Sequence, residues 1–187
     1  MNAFFKRQLT DYVEYHRDPW NCAMHVFGIL SLFLAAVLPL SMWPVHALAI
    51  HITLAPIMVL PVLTYWVLLD AVLGTAILGA AVILLSVAAL IVNYASPTFV
   101  WSITMMLIII GISVQVVGHR VFEQRQPALV DHPSHLMLGP MFVMAKLFIA
   151  LDFRQDLAAI IERLPPQAPR GPSPLAEEHQ VGPLPHS

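Results

Sequence analysis

The sequence predicts an all-α integral membrane protein, and its composition and charge pattern carry that prediction. Of the 187 residues, 58% are hydrophobic and only 11% are charged, and the mean hydropathy is +0.76. Soluble domains carry about 25% charged residues, so this chain has too little charge to cover a soluble surface. Between Pro19 and His119 the single Asp, Glu, Lys or Arg is Asp70. We therefore expect this long apolar stretch to lie within a lipid bilayer.

The apolar stretch divides into four segments that are long enough to cross a membrane as helices. A bilayer core about 30 Å thick needs about 20 helical residues. We predict full transmembrane helices at Cys22–Leu40, Ala47–Leu69, Ala71–Val92 and Phe99–Val117. Pro56 and Pro61 should kink the second of these. The short connections between the segments favour antiparallel neighbours in an up-down bundle.

An amphipathic helix at the membrane interface is predicted before the first span. Residues 2–18 carry apolar side chains at helical spacing, with charged side chains on the other faces. Asp18 is expected to cap the following helix, with Pro19 at its first position. Pro19 also disfavours helical backbone in the residue before it, so the chain should bend there.

Two shorter segments follow the fourth predicted span. Leu136–Leu151 is short for a crossing and contains Lys146, so we expect a re-entrant or half-inserted segment. Asp152–Arg163 has the spacing of an amphipathic surface helix. The predicted organisation is a single membrane-embedded helical domain over 1–163 and a disordered, proline-rich tail over 164–187.

Charge also predicts orientation and excludes some partners. Basic residues precede the first predicted span and follow the fourth, whereas the Ser41–His46 and Asn93–Thr98 loops have none. The N-terminus and the segment after residue 117 should therefore face the cytoplasm, in a bacterial inner membrane or the endoplasmic reticulum. The net charge of −2 provides no basic field for nucleic acid. Nothing in the pattern predicts an oligomeric state.

Two clusters of polar residues fall on that predicted cytoplasmic side. The first contains His16, Asn21 and His25. On one continuous helix the two histidines would point in opposite directions, but a bend at Pro19 would let both face one centre. Taken alone, these histidines are more simply explained as residues that tolerate the headgroup region.

The second cluster contains Gln115, His119 and Glu123, which share one face of an α-helix at i, i+4 and i+8. Polar groups at membrane depth usually face a bundle interior and mark function, although a helix end with ordinary snorkelling residues is the open alternative. His132 and His135 follow shortly after, either as further imidazoles at the same centre or in a solvent loop.

Several histidines with few carboxylates and no paired cysteines suit Fe(II), Zn(II) or Cu. The chain has no HExxH, GxSxG, P-loop or dinucleotide-binding motif. Two other classes stay open: a lipid-binding or assembly scaffold whose histidines are structural, and a zinc-dependent lipid hydrolase with Ser134 as its nearby serine.

Both clusters also carry motifs that resemble a known family. The motifs read Tyr15-His16-x2-Pro19-x-Asn21-x3-His25 and Gln115-x2-Gly118-His119-x2-Phe122-Glu123-x3-Pro127-Ala128-Leu129-x-Asp131. They resemble the Mpo1-like family, and the resemblance runs from about residue 9 to 163. It implies an Fe(II)-dependent membrane dioxygenase that uses O2 to shorten a 2-hydroxy fatty acid by one carbon, the reaction called α-oxidation.

The resemblance implies His16, His25 and His119 as iron ligands. The chain departs from the family pattern at His132, His135 and Lys146, so the resemblance gives these residues no role. From their position, His135 is the leading additional ligand and His132 the next. Four polar residues should orient the imidazoles or the substrate, namely Asn21, Gln115, Glu123 and Asp131. Arg120 or Arg125 is expected to pair with the substrate carboxylate.

Overall fold

A computed structural model describes residues 3–13, 18–47, 50–123 and 135–161. Within these ranges the chain forms helices joined by short connections, and one small hairpin. The helices are α1 (Ala3–Val13), α2 (Pro19–Ser41), α3 (Leu54–Leu69), α4 (Ala71–Tyr94), α5 (Pro97–Val117), α6 (His135–Ala150) and α7 (Gln155–Ile161). Strands β1 (Pro44–Ala47) and β2 (Ile50–Thr53) form the antiparallel hairpin. The predicted tail over 164–187 lies outside the described residues.

Three helices in the described part of the chain are long and apolar enough to cross a membrane: Pro19–Ser41, Ala71–Tyr94 and Pro97–Phe122. The last two leave large apolar side chains uncovered, such as Ile83 on α4 and Ile109 on α5, each 65% exposed. An apolar surface of this kind is suited to lipid rather than water. The prediction of an all-α chain with helices suited to a membrane is confirmed for three of the four predicted spans.

The second predicted span is wrong in its first turns. We predicted a helix over Ala47–Leu69, but the chain forms the hairpin first, and only the 16 residues of α3 are helical. Val45, Ile50 and Ile52 are β-branched and favour extended backbone, which explains the strands. As a result, Pro56 falls in the first turn of α3, where a proline displaces no hydrogen bond.

The predicted start of α2 is confirmed. Asp18 has extended backbone, and its Oδ1 accepts hydrogen bonds from the N–H groups of Trp20 (2.8 Å) and Asn21 (3.1 Å). Pro19 occupies the first helical position, which needs no N–H donor. This cap gives α2 a defined first turn, and Asn21 and His25 follow directly from it.

Glycines allow α2 and α5 to pack closely along their length. A Cβ on Gly28 would lie 3.1 Å from the carbonyl oxygen of Gly111, and one on Gly111 would lie 3.3 Å from that of Gly28. Small residues let helix backbones approach in this way in membrane proteins. On α4, a Cβ on Gly74 would lie 2.5 Å from the backbone of Val67 on α3, whereas one on Gly79 would meet nothing within 4 Å.

An ion pair holds the C-terminal helices to the turn between α3 and α4. Asp70 accepts hydrogen bonds from the N–H groups of Val72 and Leu73 and so caps α4. The guanidinium of Arg154, just before α7, donates to both oxygens of Asp70 at 3.1 and 3.2 Å. Arg154 also donates to both oxygens of Asp156 at 2.8 and 2.9 Å. One cation therefore joins two carboxylates at this end of the bundle.

The same contacts set the ionisation of the cluster. Burial raises the pKa of the Asp70 carboxyl, but the hydrogen bonds from Arg154 and from the N–H of Leu73 lower it more, so the net pKa falls below its usual range. Hydrogen bonds to Asp156 and Asp70 raise the pKa of Arg154. All three groups are charged at neutral pH, so the cation of Arg154 attracts both carboxylates.

The last two predicted helices form with shifted bounds. The segment predicted at Leu136–Leu151 is helical over His135–Ala150. The indole Nε1 of Trp66 in α3 donates to the carbonyl of Met137 at 2.7 Å, which ties α6 to the bundle. The surface helix predicted from Asp152 begins only at Gln155, because Asp152 has a φ of 61° and turns the chain.

Candidate metal centre

Two predicted ligands meet in the interior of the bundle. The Nε2 atoms of His25 on α2 and His119, which directly follows α5, lie 2.9 Å apart. The two imidazole rings meet edge to face, with centroids 4.7 Å apart and planes at 77°. Both side chains are buried, with 6% and 3% of their surface exposed. The residues are 94 positions apart in the chain, so only the packing of these helices brings them together.

This distance fits either a hydrogen bond or a shared metal ion. A neutral imidazole has one N–H and one nitrogen lone pair, so with opposite tautomers one ring donates its Nε2–H to the Nε2 lone pair of the other. A metal ion can take the place of that proton. Two nitrogens bound at right angles at about 2.1 Å lie about 3 Å apart, whereas tetrahedral zinc would hold them about 3.4 Å apart. The geometry is therefore compatible with two adjacent imidazole ligands of Fe(II).

Local features of the sequence explain why His119 reaches His25. The α-helix of α5 ends at Val117, and Gly118–Glu123 continues as a wider π-helical segment. Such segments occur frequently at functional sites. Gln115 contacts Gly28 and His119 contacts His25, so these two members of the predicted stripe share the face toward α2, although the helical repeat changes between them.

Gly118 brings the π-helical segment against α2. A Cβ at this position would collide with Oδ1 of Asn21, so a larger residue would force the Asn21 side chain or the helices to shift. Asn21 is fully buried. One turn away, Gln115 packs its side chain against Gly28, where a Cβ would lie 2.7 Å from its Cγ. Asn21 and Gln115, which we predicted to orient the site, thus both lie at the interface that carries the histidine pair.

The structure does not bring all the predicted residues together. Arg120 follows His119, but its side chain is exposed. Glu123 ends the π-helical segment and His135 begins α6, and their side chains lie outside the described part of the chain. Four further predicted residues also fall outside the described ranges: His16, Arg125, Asp131 and His132.

The described residues bring together two of the three ligands that the family resemblance implies. No group of three or more His, Cys, Asp or Glu side chains that could hold a metal ion occurs within the described ranges. His16, the third ligand that the family resemblance implies, belongs to the undescribed segment 14–17, which directly precedes α2. The histidine pair is therefore the part of the predicted centre that the structure shows.

A neighbouring contact was missed by sequence reasoning. The ammonium of Lys146 on α6 donates to Sγ of Cys22 at 3.3 Å and lies 5.3 Å from the centroid of the Phe142 ring. The family resemblance gave no role to Lys146. The one available signal was the position of Lys146, a charge within an otherwise apolar helix.

Together, the apolar helices and the buried imidazole pair define a class: a small helical protein that has helices apolar enough to span a membrane and a candidate metal centre between two of them. Comparison with known sequences refines this. The sequence model of the Mpo1-like family, described as "2-hydroxy-palmitic acid dioxygenase Mpo1-like", matches residues 2–151. The chain belongs to the Mpo1-like family, and the resemblance seen in the two motifs is confirmed.

A curated relative supports the same assignment. The chain is 34% identical over 158 residues to the 2-hydroxy-palmitic acid dioxygenase MPO1 of Saccharomyces cerevisiae. The matched region covers 84% of this chain and 87% of the yeast protein. No solved structure matches the chain.

Proposed function

We propose that this protein is an Fe(II)-dependent dioxygenase that shortens 2-hydroxy fatty acids by one carbon. Family membership supports a 2-hydroxy fatty acid as substrate, since the yeast relative is named for 2-hydroxy-palmitic acid. The observation that carries the iron proposal is the buried pair of Nε2 atoms, 2.9 Å apart. In the balanced reaction, one 2-hydroxy acid and one O2 give the shorter acid, CO2 and water.

In this proposal His25 and His119 hold the metal, and His16 completes the set from the segment before α2. Bound iron would supply the redox chemistry that activates O2, with positions left open for the substrate. Asn21 and Gln115 line the same helix interface, where they would fix the imidazoles and the substrate head. Glu123 and Asp131 have the same proposed role, and His135 and His132 are further candidate ligands.

We infer that the chain crosses the membrane four times. The 16 residues of α3 extend about 24 Å at 1.5 Å per residue, and the hairpin before it supplies the remaining depth. Asp70 in the α3–α4 turn pairs with Arg154 just before α7, and α1 packs on α7. These contacts place α1, the α3–α4 turn and α7 at one end of the bundle. The basic residues at this end assign it to the cytoplasmic side. A long acyl chain would then approach from the bilayer.

Purified protein in detergent tests the proposal. With Fe(II) and O2, 2-hydroxyhexadecanoate should give pentadecanoate, measured by mass spectrometry. Turnover should stop without O2 or with an Fe(II) chelator. Turnover that needs zinc but no O2 would identify a lipid hydrolase, and fatty acid binding without any turnover would identify a scaffold. Either result would contradict the proposal.

A further inference from the structure

Lys146 is a charged residue in an apolar helix, and its partners do not balance its charge. The side chain lies in the second half of α6, half-buried, with its ammonium against the Cys22 thiol and above the Phe142 ring. Among the side chains that the structure describes, no carboxylate pairs with it. A thiol is a weak acceptor, and a ring face attracts a cation by only about 0.5–2 kcal/mol. Ionisable groups in such surroundings are usually functional.

The nearby tyrosine does not supply the missing negative charge. The Tyr12 ring packs on the same Phe142 ring, with centroids 4.9 Å apart. Burial, and after it the charge of the Cys22 thiol, raises the pKa of the Tyr12 hydroxyl well above its usual value. The phenol therefore stays neutral at physiological pH, and the ammonium of Lys146 remains available to an anion.

The ammonium contacts a residue that neighbours His25 on α2. Cys22 and His25 are three residues apart on α2 and both are buried, so their side chains are neighbours on one face of the helix. The side chains of such neighbours begin about 5–6 Å apart. Because Lys146 contacts Cys22, its flexible four-carbon stem can carry the ammonium toward a group held at His25 and His119.

We propose that Lys146 binds the carboxylate of the fatty acid whose head lies at the histidine pair. The proposal rests on the function proposed above, but it assigns the carboxylate to a different residue. We expected Arg120 or Arg125 in this role from the sequence, but the Arg120 side chain is exposed and Arg125 lies outside the described ranges. Lys146 offers a positive charge in the bundle interior, where a hydrogen bond between ions is stronger than in water.

Equilibrium binding of two unreactive lipids tests this separately from turnover. Hexadecanoate carries the carboxylate, and hexadecanol has the same chain length with a neutral head. In Lys146→Gln, the Kd for hexadecanoate should rise about tenfold or more, while the Kd for hexadecanol stays the same. Lys146→Arg, which keeps the charge, should bind hexadecanoate within a few-fold of wild type. Cys22→Ala, which removes only the thiol, should not weaken binding.

Lys146→Met is a second neutral variant of similar length, and it serves as a control in case Lys146→Gln does not fold. Methionine suits the apolar surroundings of this position. A misfolded variant would lose both lipids and elute as an aggregate in size exclusion, and the Met variant then decides the question. Unchanged hexadecanoate binding in a folded neutral variant would overturn the proposal. If binding depends on Lys146 but 2-hydroxyhexadecanoate is not turned over, the carboxylate site stands and the dioxygenase function fails.

Discussion

Two polar clusters among the described residues are held together in different ways. At the α3–α4 turn, Arg154 lies between Asp70 and Asp156, so opposite charges meet. Between α2 and α5, the Nε2 atoms of His25 and His119 lie 2.9 Å apart in the interior of the bundle. The first cluster is an ion pair that stabilises the fold, whereas the second places two imidazole nitrogens where a metal ion could replace the proton between them. Imidazole is a common ligand of transition metals, so the histidine pair is the better candidate for function.

The largest expected effect is at the His25–His119 pair. His119→Ala should abolish stoichiometric iron binding and lower turnover of 2-hydroxyhexadecanoate by more than about a hundredfold, since even residues that only support metal ligands contribute 10–100-fold. Iron content by elemental analysis and turnover by mass spectrometry measure the two effects. His51→Ala is the matched control, because β2 lies beyond the opposite end of α2. Unchanged iron content in His119→Ala would mean that the pair shares only a proton.

Changes in the cluster of Asp70, Arg154 and Asp156 should affect stability rather than chemistry. Asp70→Asn keeps an oxygen to cap α4 but removes the charge that pairs with Arg154. Breaking a buried ion pair costs about 3–5 kcal/mol, and because Asp156 still pairs with Arg154 we expect a loss of about 2 kcal/mol in the free energy of unfolding. Asp156→Asn removes the more exposed carboxylate and should cost less than about 1 kcal/mol. Denaturation in mixed micelles measures both, and equal losses would contradict this account.

The same cluster predicts an acid limit to stability. The pKa of Asp70 is lower in the folded protein than in the unfolded chain. Its contribution is therefore present above the unfolded value of about 3.9, and is lost as the pH falls through the lower folded value. Wild type should lose more stability than Asp70→Asn in this window. Parallel curves for the two proteins would show that another group sets the acid limit.

A smaller effect is expected at Gly118, where the π-helical segment packs against α2 next to the histidine pair. In Gly118→Ala the new Cβ would collide with Oδ1 of Asn21, so the helices must shift, at a cost of about 1–3 kcal/mol. The shift should separate the imidazoles and weaken iron binding. Gly79→Ala is the matched control, because its Cβ meets nothing within 4 Å. Isothermal titration with Fe(II) measures the affinity; equal affinity in the two variants would show that the close approach at Gly118 does not position His119.

The predictions from sequence succeeded where the physics is local. Asp18 and Pro19 mark the start of α2 because a capping carboxylate and a proline act within one helical turn. The helix over Ala47–Leu69 failed because hydropathy counts apolar residues and does not distinguish the β-branched strands of the hairpin from a helix. The π-helical segment that begins at Gly118 was not predicted, because periodicity assumes a constant helical repeat.

The sequence by itself determined that the chain is an apolar helical protein of the Mpo1-like family, with His25 and His119 among its candidate ligands. Composition and short motifs are enough for this, because hydrophobicity and capping depend on neighbouring residues. Only the tertiary structure decided that these two imidazoles meet, that Asp70 pairs with Arg154, and that Lys146 reaches Cys22. Each of these contacts joins residues more than 80 positions apart, and only the packing of whole helices sets such distances.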